Sequence, residues 1–296
     1  MLKITRDHVI YEMSKDNEPV LSCESGATVL FETHDCFSGD VQSETDTVSQ
    51  INFDHVNPAT GPLFVEGAEP GDTLKVSINR IKLNTQGAVV TAPGLGALAG
   101  QVEKEETIIG QVNENGDVVY RQWTIPGRKM IGVIGTAPAG EAVNTGTPYD
   151  HGGNMDSTLI TEGATVYLPV EVEGALLAMG DMHAVMGDGE IMGSGLEIAG
   201  EIEVTVEVLK DCHLPLPLVE NEDVIATIAS RETIEEASQL AIEQMADYLT
   251  HEHGMTLNEA GMFLSLAGNL IACQIVNPNK TMRVEVSKAV LNSRKS

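Results

Sequence analysis

The chain has 296 residues, 42% of them hydrophobic, so it can bury roughly three quarters of its unfolded surface and needs no disulfide or structural metal to fold. Its 44 acidic residues against 17 basic ones give a net charge of −27, which excludes a nucleic-acid or anionic-membrane binder, because both need clustered Lys and Arg. No apolar run approaches the ~20 residues of a membrane span, the first residues carry no apolar signal region, and the scattered Cys23, Cys36, Cys212 and Cys273 form no Cys-x-x-Cys pair. The expectation is a cytoplasmic protein with reduced thiols, whose dispersed acids form a solvated coat.

Strand signals dominate residues 1–230. The segments 27–33, 62–67, 72–83, 117–125, 130–137, 164–172 and 200–209 are rich in Val, Ile and Thr, and Gly, Pro, Asn and Asp fill the gaps as turns require. In "GEIEVTVEVL", Ile202, Val204, Val206 and Val208 alternate with Glu201, Glu203, Thr205 and Glu207, which predicts one buried and one wet face. "SGATVLFET" near residue 25 echoes "EGATVYLPV" near residue 162, a pattern that either a duplicated β unit or shared β composition produces. The tail changes character. Thr233 and Glu236 form a capping box ahead of a helix over 233–254, with Ile234, Ala237, Ala241 and Met245 or Tyr248 as its apolar stripe and Gly254 as its stop. Thr256 and Glu259 repeat the device over 256–269, with Leu257, Ala260, Leu264 and Ala267 as the stripe, and 281–291 reads as a closing strand. The pattern predicts a mainly β body over 1–215, sandwich-like or barrel-like, followed by a small α+β part over 216–296.

Chemistry gathers in the turns. "GDMHAVMGDGE" (180–190) interrupts strand-like sequence with Asp181, His183, Asp188 and Glu190. Asp181 and His183 are an i, i+2 pair, which extended backbone places on one side, and a carboxylate beside an imidazole is the start of a divalent-metal site. "HGGNMD" (151–156) supplies His151, Asn154 and Asp156 beside two glycines, "THDCFSGD" supplies Asp35 and Cys36, and "DHVNPATG" supplies His55. Each has a structural counter-reading: Gly-Asp is a turn dipeptide, and Asn in a Gly-rich turn caps its own backbone. Cys36 has only His34 nearby to lower its pKa, so a cysteine nucleophile is the weaker expectation.

The chain resembles the acetamidase/formamidase family of small-amide hydrolases through "NPATGPLFVEGAEPGD", "HGGNMD", "GDMHAVMGDGE" and "LAGNLIACQIVNP". The resemblance implies a jelly-roll-like part, a small barrel-like part and a small α+β part. It also implies hydrolysis of short linear amides to ammonia and a carboxylate, aided by a divalent metal, in a homodimer. Motif position and chemistry together nominate Asp35, Asp156, Asp181 and His183 as metal ligands, Glu190 as general base, Asn154 as oxyanion donor, and His151 and His55 as substrate contacts. His183 favours Zn²⁺ over Ca²⁺. Two alternatives stand: a metal-free cysteine amidase, for which residues 130–209 offer no lysine, and a β-sandwich binding module with Ca²⁺ held by the oxygen-rich set. The 4% aromatic content argues against a sugar-stacking platform.

Overall fold

The computed structural model describes residues 2–293. A nine-stranded sheet runs in the order Leu2–Ile4, Thr28–Thr33, Gly200–Leu209, Thr73–Leu83, Thr165–Pro169, Leu218–Glu220, Val224–Arg231, Lys280–Ser287, Gly268–Gln274. A second sheet orders Gly152–Asn154, Met130–Gly135, Leu177–His183, Ala59–Val65 and Val9–Ile10, and Leu21–Cys23 also pairs with Ala59–Val65. One apolar core joins the two sheets, with Phe31, Val76, Ile202 and Val204 from the first meeting Leu63, Ile131, Ile134 and Met179 from the second. A third sheet, of four strands, is formed by Trp123–Ile125, Val118–Tyr120, Glu106–Val112 and Gln86–Thr91. The architecture is mainly β, as expected from the sequence.

The alternation in Gly200–Leu209 has the predicted effect. Ile202, Val204 and Val206 are fully buried, while Glu201, Glu203 and Glu207 pair across the sheet with Lys82, Arg80 and Lys75 at 3.1, 3.8 and 2.6 Å. Each such cross-strand pair is worth about 0.2–1 kcal/mol.

Leu177–His183 behaves differently. Every one of its residues is buried, as is every residue of its neighbour Met130–Gly135, so neither strand alternates. A strand buried on both faces reads as a continuous run, and the polar Asp181 and His183 break that run. That is why the sequence reads as a turn where the structure has a strand. Residues 117–125 fold as two short strands of a hairpin rather than one, because Arg121 takes a positive φ of 51° between them.

Ile234–His253 and Leu257–Ala267 are helices with the predicted caps: Thr233 Oγ1 accepts from Glu236 N, and Thr256 and Glu259 close a capping box. The first helix buries Ala237, Ala241, Met245, Ala246 and Leu249, so its stripe omits Ile234. The second helix buries only Ala260 fully, and Leu257, expected to be inward, is 68% exposed. The closing strand stops at Ser287, and Lys288–Asn292 forms a short helix. Among the described residues no helix is long and apolar enough to cross a membrane.

Candidate active site

The C-terminal end of Leu177–His183 carries the centre of the site. Asp181 sits at φ 53°, in the left-handed region, and that kink turns its carboxylate toward the ring two residues on: His183 Nε2 lies 3.5 Å from Asp181 Oδ1. Glu197 comes from the segment bridged to His183, and its Oε2 stands 3.0 Å from the same nitrogen. Asp156 enters from the turn after Gly152–Asn154 at φ 45°, and Glu190 from the turn after Gly189, also at φ 45°. Three non-glycine residues in the left-handed region within one buried cluster are backbone strain gathered at a functional site, where the surrounding structure must hold it.

Two groups of ligand atoms result. Asp156, His183 and Glu190 bring one atom each within 4.8 Å of one another, and Cys36, Asp181 and Glu197 do the same. All six residues are buried. Room for them comes from a missing side chain: a Cβ on Gly132 would lie 2.5 Å from Asp156 Oδ1 and 2.6 Å from Asp181 Oδ2. Likewise a Cβ on Gly195 would lie 2.8 Å from His183 Cγ.

Amides knit the carboxylates together. The Asn154 side chain satisfies its neighbours with its nitrogen donating to Asp181 Oδ2 at 2.9 Å and to Asp156 Oδ2 at 3.0 Å, and its oxygen accepting from Asn57 Nδ2 at 3.3 Å. Asn277 Nδ2 donates to Asp156 Oδ2 at 2.8 Å. Asn277 is set by Gln274, whose Oε1 accepts from the backbone N–H groups of Val276 and Asn277, both at 2.9 Å.

The Glu190 turn is pinned from the C-terminal strands. Gly189 N donates to Cys273 O at 2.8 Å, and Ile275 N donates to Gly189 O at 3.2 Å. Buried Arg283 donates to Asp188 Oδ1 at 2.9 Å and to Glu285 Oε1 at 2.6 Å. Thr158 Oγ1 donates to the same Asp188 oxygen at 2.7 Å. Asp188 thereby ties the turn of Glu190 to Thr158, two residues past Asp156, and through Arg283 to the C-terminal strand.

Charge in the cluster is unbalanced. Burial first, and then the neighbouring Asp181 carboxylate, push Asp156 up to about 7. Burial and Asp181 likewise push Glu197 up to about 8, against the pull of His183. Burial and Asp156 raise Glu190 well above the carboxylate range. Burial opposes a charged His183, yet Glu197 and Asp181 outweigh it and raise the ring well above its ordinary value. Four carboxylates around one imidazole in a low dielectric call for added positive charge.

The polar atoms make the same demand. Asp181 Oδ1, both nitrogens of His183, Glu190 Oε2 and Glu197 Oε2 are buried and make no hydrogen bond; the close approaches of His183 Nε2 are ion-pair contacts without hydrogen-bond alignment. Each buried orphan costs about 1–3 kcal/mol. A set of carboxylate oxygens, an imidazole and a thiol fits a divalent cation.

The sequence reading placed Asp156, Asp181, His183, Glu190 and Asn154 here, and the structure brings these five together. Asp35 lies outside both ligand groups: its Oδ1 accepts from Phe37 N and Gly39 N, both at 3.0 Å, and so caps a turn. His55 is exposed and stacks on Tyr11 with centroids 5.1 Å apart; Asn57, two residues on, reaches Asn154 instead. His151 is buried with both ring nitrogens unpartnered. Asn154 was expected to donate to an oxyanion, but its amide hydrogens are committed to Asp181 and Asp156. Glu197, Asn57 and Asn277 were not selected from the sequence, and Cys36 was weighed there as a nucleophile rather than as a ligand. The parity of "LEIAGEIEVTVEV" reads Glu197 as one more solvent-facing acid. Asn277 shows only as the Asn-Pro of "QIVNP".

Comparison with known proteins agrees with this architecture. The chain aligns with an acetamidase from Bacillus halodurans at 47% identity and a TM-score of 0.96, covering 98% of this chain and 99% of that one. It aligns with a predicted acetamidase/formamidase from Thermoanaerobacter tengcongensis at 43% identity and a TM-score of 0.95, covering 99% and 97%. A formamidase from Methylophilus methylotrophus is 28% identical over 225 residues, 55% of this chain, and the chain spans 54% of that relative's length. The family model for the Acetamidase/Formamidase family matches residues 7–146 and 139–293, and the chain belongs to that family.

Proposed function

We propose that this chain hydrolyses short linear amides, such as formamide and acetamide, to ammonia and the carboxylate, and that it does so with a divalent cation. The observation that carries the reading is the buried set of orphaned carboxylate and imidazole atoms at Asp156, Asp181, His183, Glu190 and Glu197. Asp156, Asp181 and His183 are the proposed holders, with Cys36 and Glu197 beside them. His183 supports Zn²⁺ over Ca²⁺.

A divalent ion in such a site supplies an acidified water and a charge sink for the amide oxygen. The chain's own groups do the remaining work. Glu190 stands where the buried cluster meets an open cleft, so its carboxylate accepts the proton of the attacking water and returns it to the departing nitrogen. Its pKa, raised by burial and by Asp156, falls when positive charge enters the cluster, which leaves it ionised as a base must be. Asn154 and Asn277 hold the Asp156 and Asp181 carboxylates in register.

Cys36 is the nucleophile of the competing amidase reading. Burial first, and then the Glu197, Asp181 and Asp35 carboxylates, raise its thiol well above the ordinary range, and the thiolate is the reactive form. Water attack is therefore the supported route. The test is elemental analysis of protein purified without chelator, together with ammonia release from formamide and acetamide before and after chelation. Stoichiometric Zn²⁺ and a chelation-sensitive rate are expected. A metal-free protein with undiminished turnover would refute the cation.

A further inference from the structure

Glu190 also lines a second feature. A cleft of about 420 Å³ opens on the far side of its turn, between the four-stranded sheet and residues 185–196. Its walls include Val89, Ile125, Val185, Met186, Ile191 and Leu196. The volume lies within the ~300–1,000 Å³ of sites that enclose drug-sized ligands, far more than a two-carbon amide can fill.

The cleft adjoins the reacting centre, sharing Glu190 with it and separated from the His183 ring by the backbone of Gly195. Gly195 forms part of its wall, and Gly195 packs so closely on the His183 ring that a Cβ there would lie 2.8 Å from His183 Cγ. Glu190 lines the cleft, and a carboxyl oxygen of it lies within 4.8 Å of the Asp156 and His183 ligand atoms. At the rim, Ile191 is 57% exposed and Ile125 is 37% exposed. Apolar surface left open beside a catalytic group marks a place for ligand. A substrate whose amide carbon reaches Glu190 has this cleft as the space for whatever else it carries.

We infer that the cleft is an apolar subsite and that the substrate class is amides bearing an aliphatic group of several carbons, with the two-carbon amides as minimal substrates. The inference rests on the amide-hydrolase reading above. The aliphatic group sits on either the acyl carbon or the leaving nitrogen; the cleft chemistry is the same for both, and the assay separates them.

The experiment measures kcat/KM for formamide, acetamide, butanamide and hexanamide, and for N-pentylformamide, with the metal-loaded protein. Burying each methylene should raise kcat/KM by about fourfold, so hexanamide should exceed acetamide by roughly a hundredfold or more. A gain confined to hexanamide places the chain on the acyl side, and a gain confined to N-pentylformamide places it on the leaving-amine side. Val89→Trp, which fills the cleft, should cut the hexanamide-to-acetamide ratio at least tenfold. Ile125→Asp, at the exposed rim where folding is least affected, should cut it by a similar factor. Turnover of acetamide with no gain in either series would overturn the subsite and leave the amide reading standing. Turnover of no amide at all would overturn both.

Discussion

Glu190→Gln separates the roles this carboxyl can play. Glutamine keeps the length and the hydrogen-bonding reach and removes the basic oxygen. The exchange is close to isosteric, no hydrogen bond of Glu190 Oε2 is lost, and the Arg283–Asp188 contact at 2.9 Å holds the adjoining turn. Losing a general base costs about 10²–10⁴-fold in kcat. The protein should stay folded, because an amide is less costly to bury than a carboxylate that burial already holds well above its ordinary pKa. Steady-state kinetics and elemental analysis on the same preparation decide the case. A kcat within that range at unchanged metal content supports the base. Equal loss of metal and rate makes Glu190 a ligand, the role its place beside Asp156 and His183 equally allows. Asp181→Asn should show that second pattern, with rate partly restored by excess ion. A Glu190→Gln enzyme retaining more than about half the wild-type kcat would end the general-base assignment.

Three further outcomes follow from single contacts. Gly132→Ala should remove most metal and at least tenfold of the rate, since its methyl would stand 2.5 and 2.6 Å from the Asp156 and Asp181 oxygens; a fully active, metal-loaded variant would contradict the geometry. Arg283→Met should lower the unfolding free energy by about 1–3 kcal/mol, because the buried guanidinium's charged hydrogen bonds to Asp188 and Glu285 are lost while the part-exposed Asp188 keeps water and Thr158, as read by urea denaturation. His151, which burial lowers to about 4, lies below its unfolded value of about 6.5. Its neutral, buried state therefore contributes fully above that value, and the contribution is lost as pH falls toward 4. Between pH 7 and pH 5 this amounts to about 2 kcal/mol, which His151→Gln should remove from the difference in urea stability; identical pH slopes for the two proteins would refute it.

How far the sequence reaches depends on how local the cause is. Caps and alternation are local, and Thr233, Thr256, Gly254 and the Ile202–Val206 stripe all sit where the pattern placed them. The failures come where tertiary contacts decide. Leu257 fits the helical period but lies on a face that the sheet does not cover, and it is 68% exposed. Leu177–His183 escaped because two-sided burial erases alternation, and because Asp181 and His183 look like breakers to any reading based on polarity.

The site divides along the same line. Asp156, Asp181, His183 and Glu190 were legible because dense polar residues in Gly-rich sequence have no good structural excuse. Cys36 and Asn277 join them across long sequence separations, whereas Glu197 lies close to His183 in sequence and is hidden by the alternation it shares with Glu201 and Glu203. The sequence did carry one further trace, in its glycines. Gly132 lies inside a strand, where glycine weakens pairing and removes packing, and the carboxylates of Asp156 and Asp181 occupy the space its side chain would fill. Gly195 plays the same part against His183. A glycine that costs stability within an otherwise apolar strand points to what must approach it, and here Gly132 in its strand and Gly195 in the loop before Glu197 outline the cluster from behind. The strained turns of Asp156, Asp181 and Glu190 aim the polar groups inward, and Gly132 and Gly195 leave the volume in which they meet.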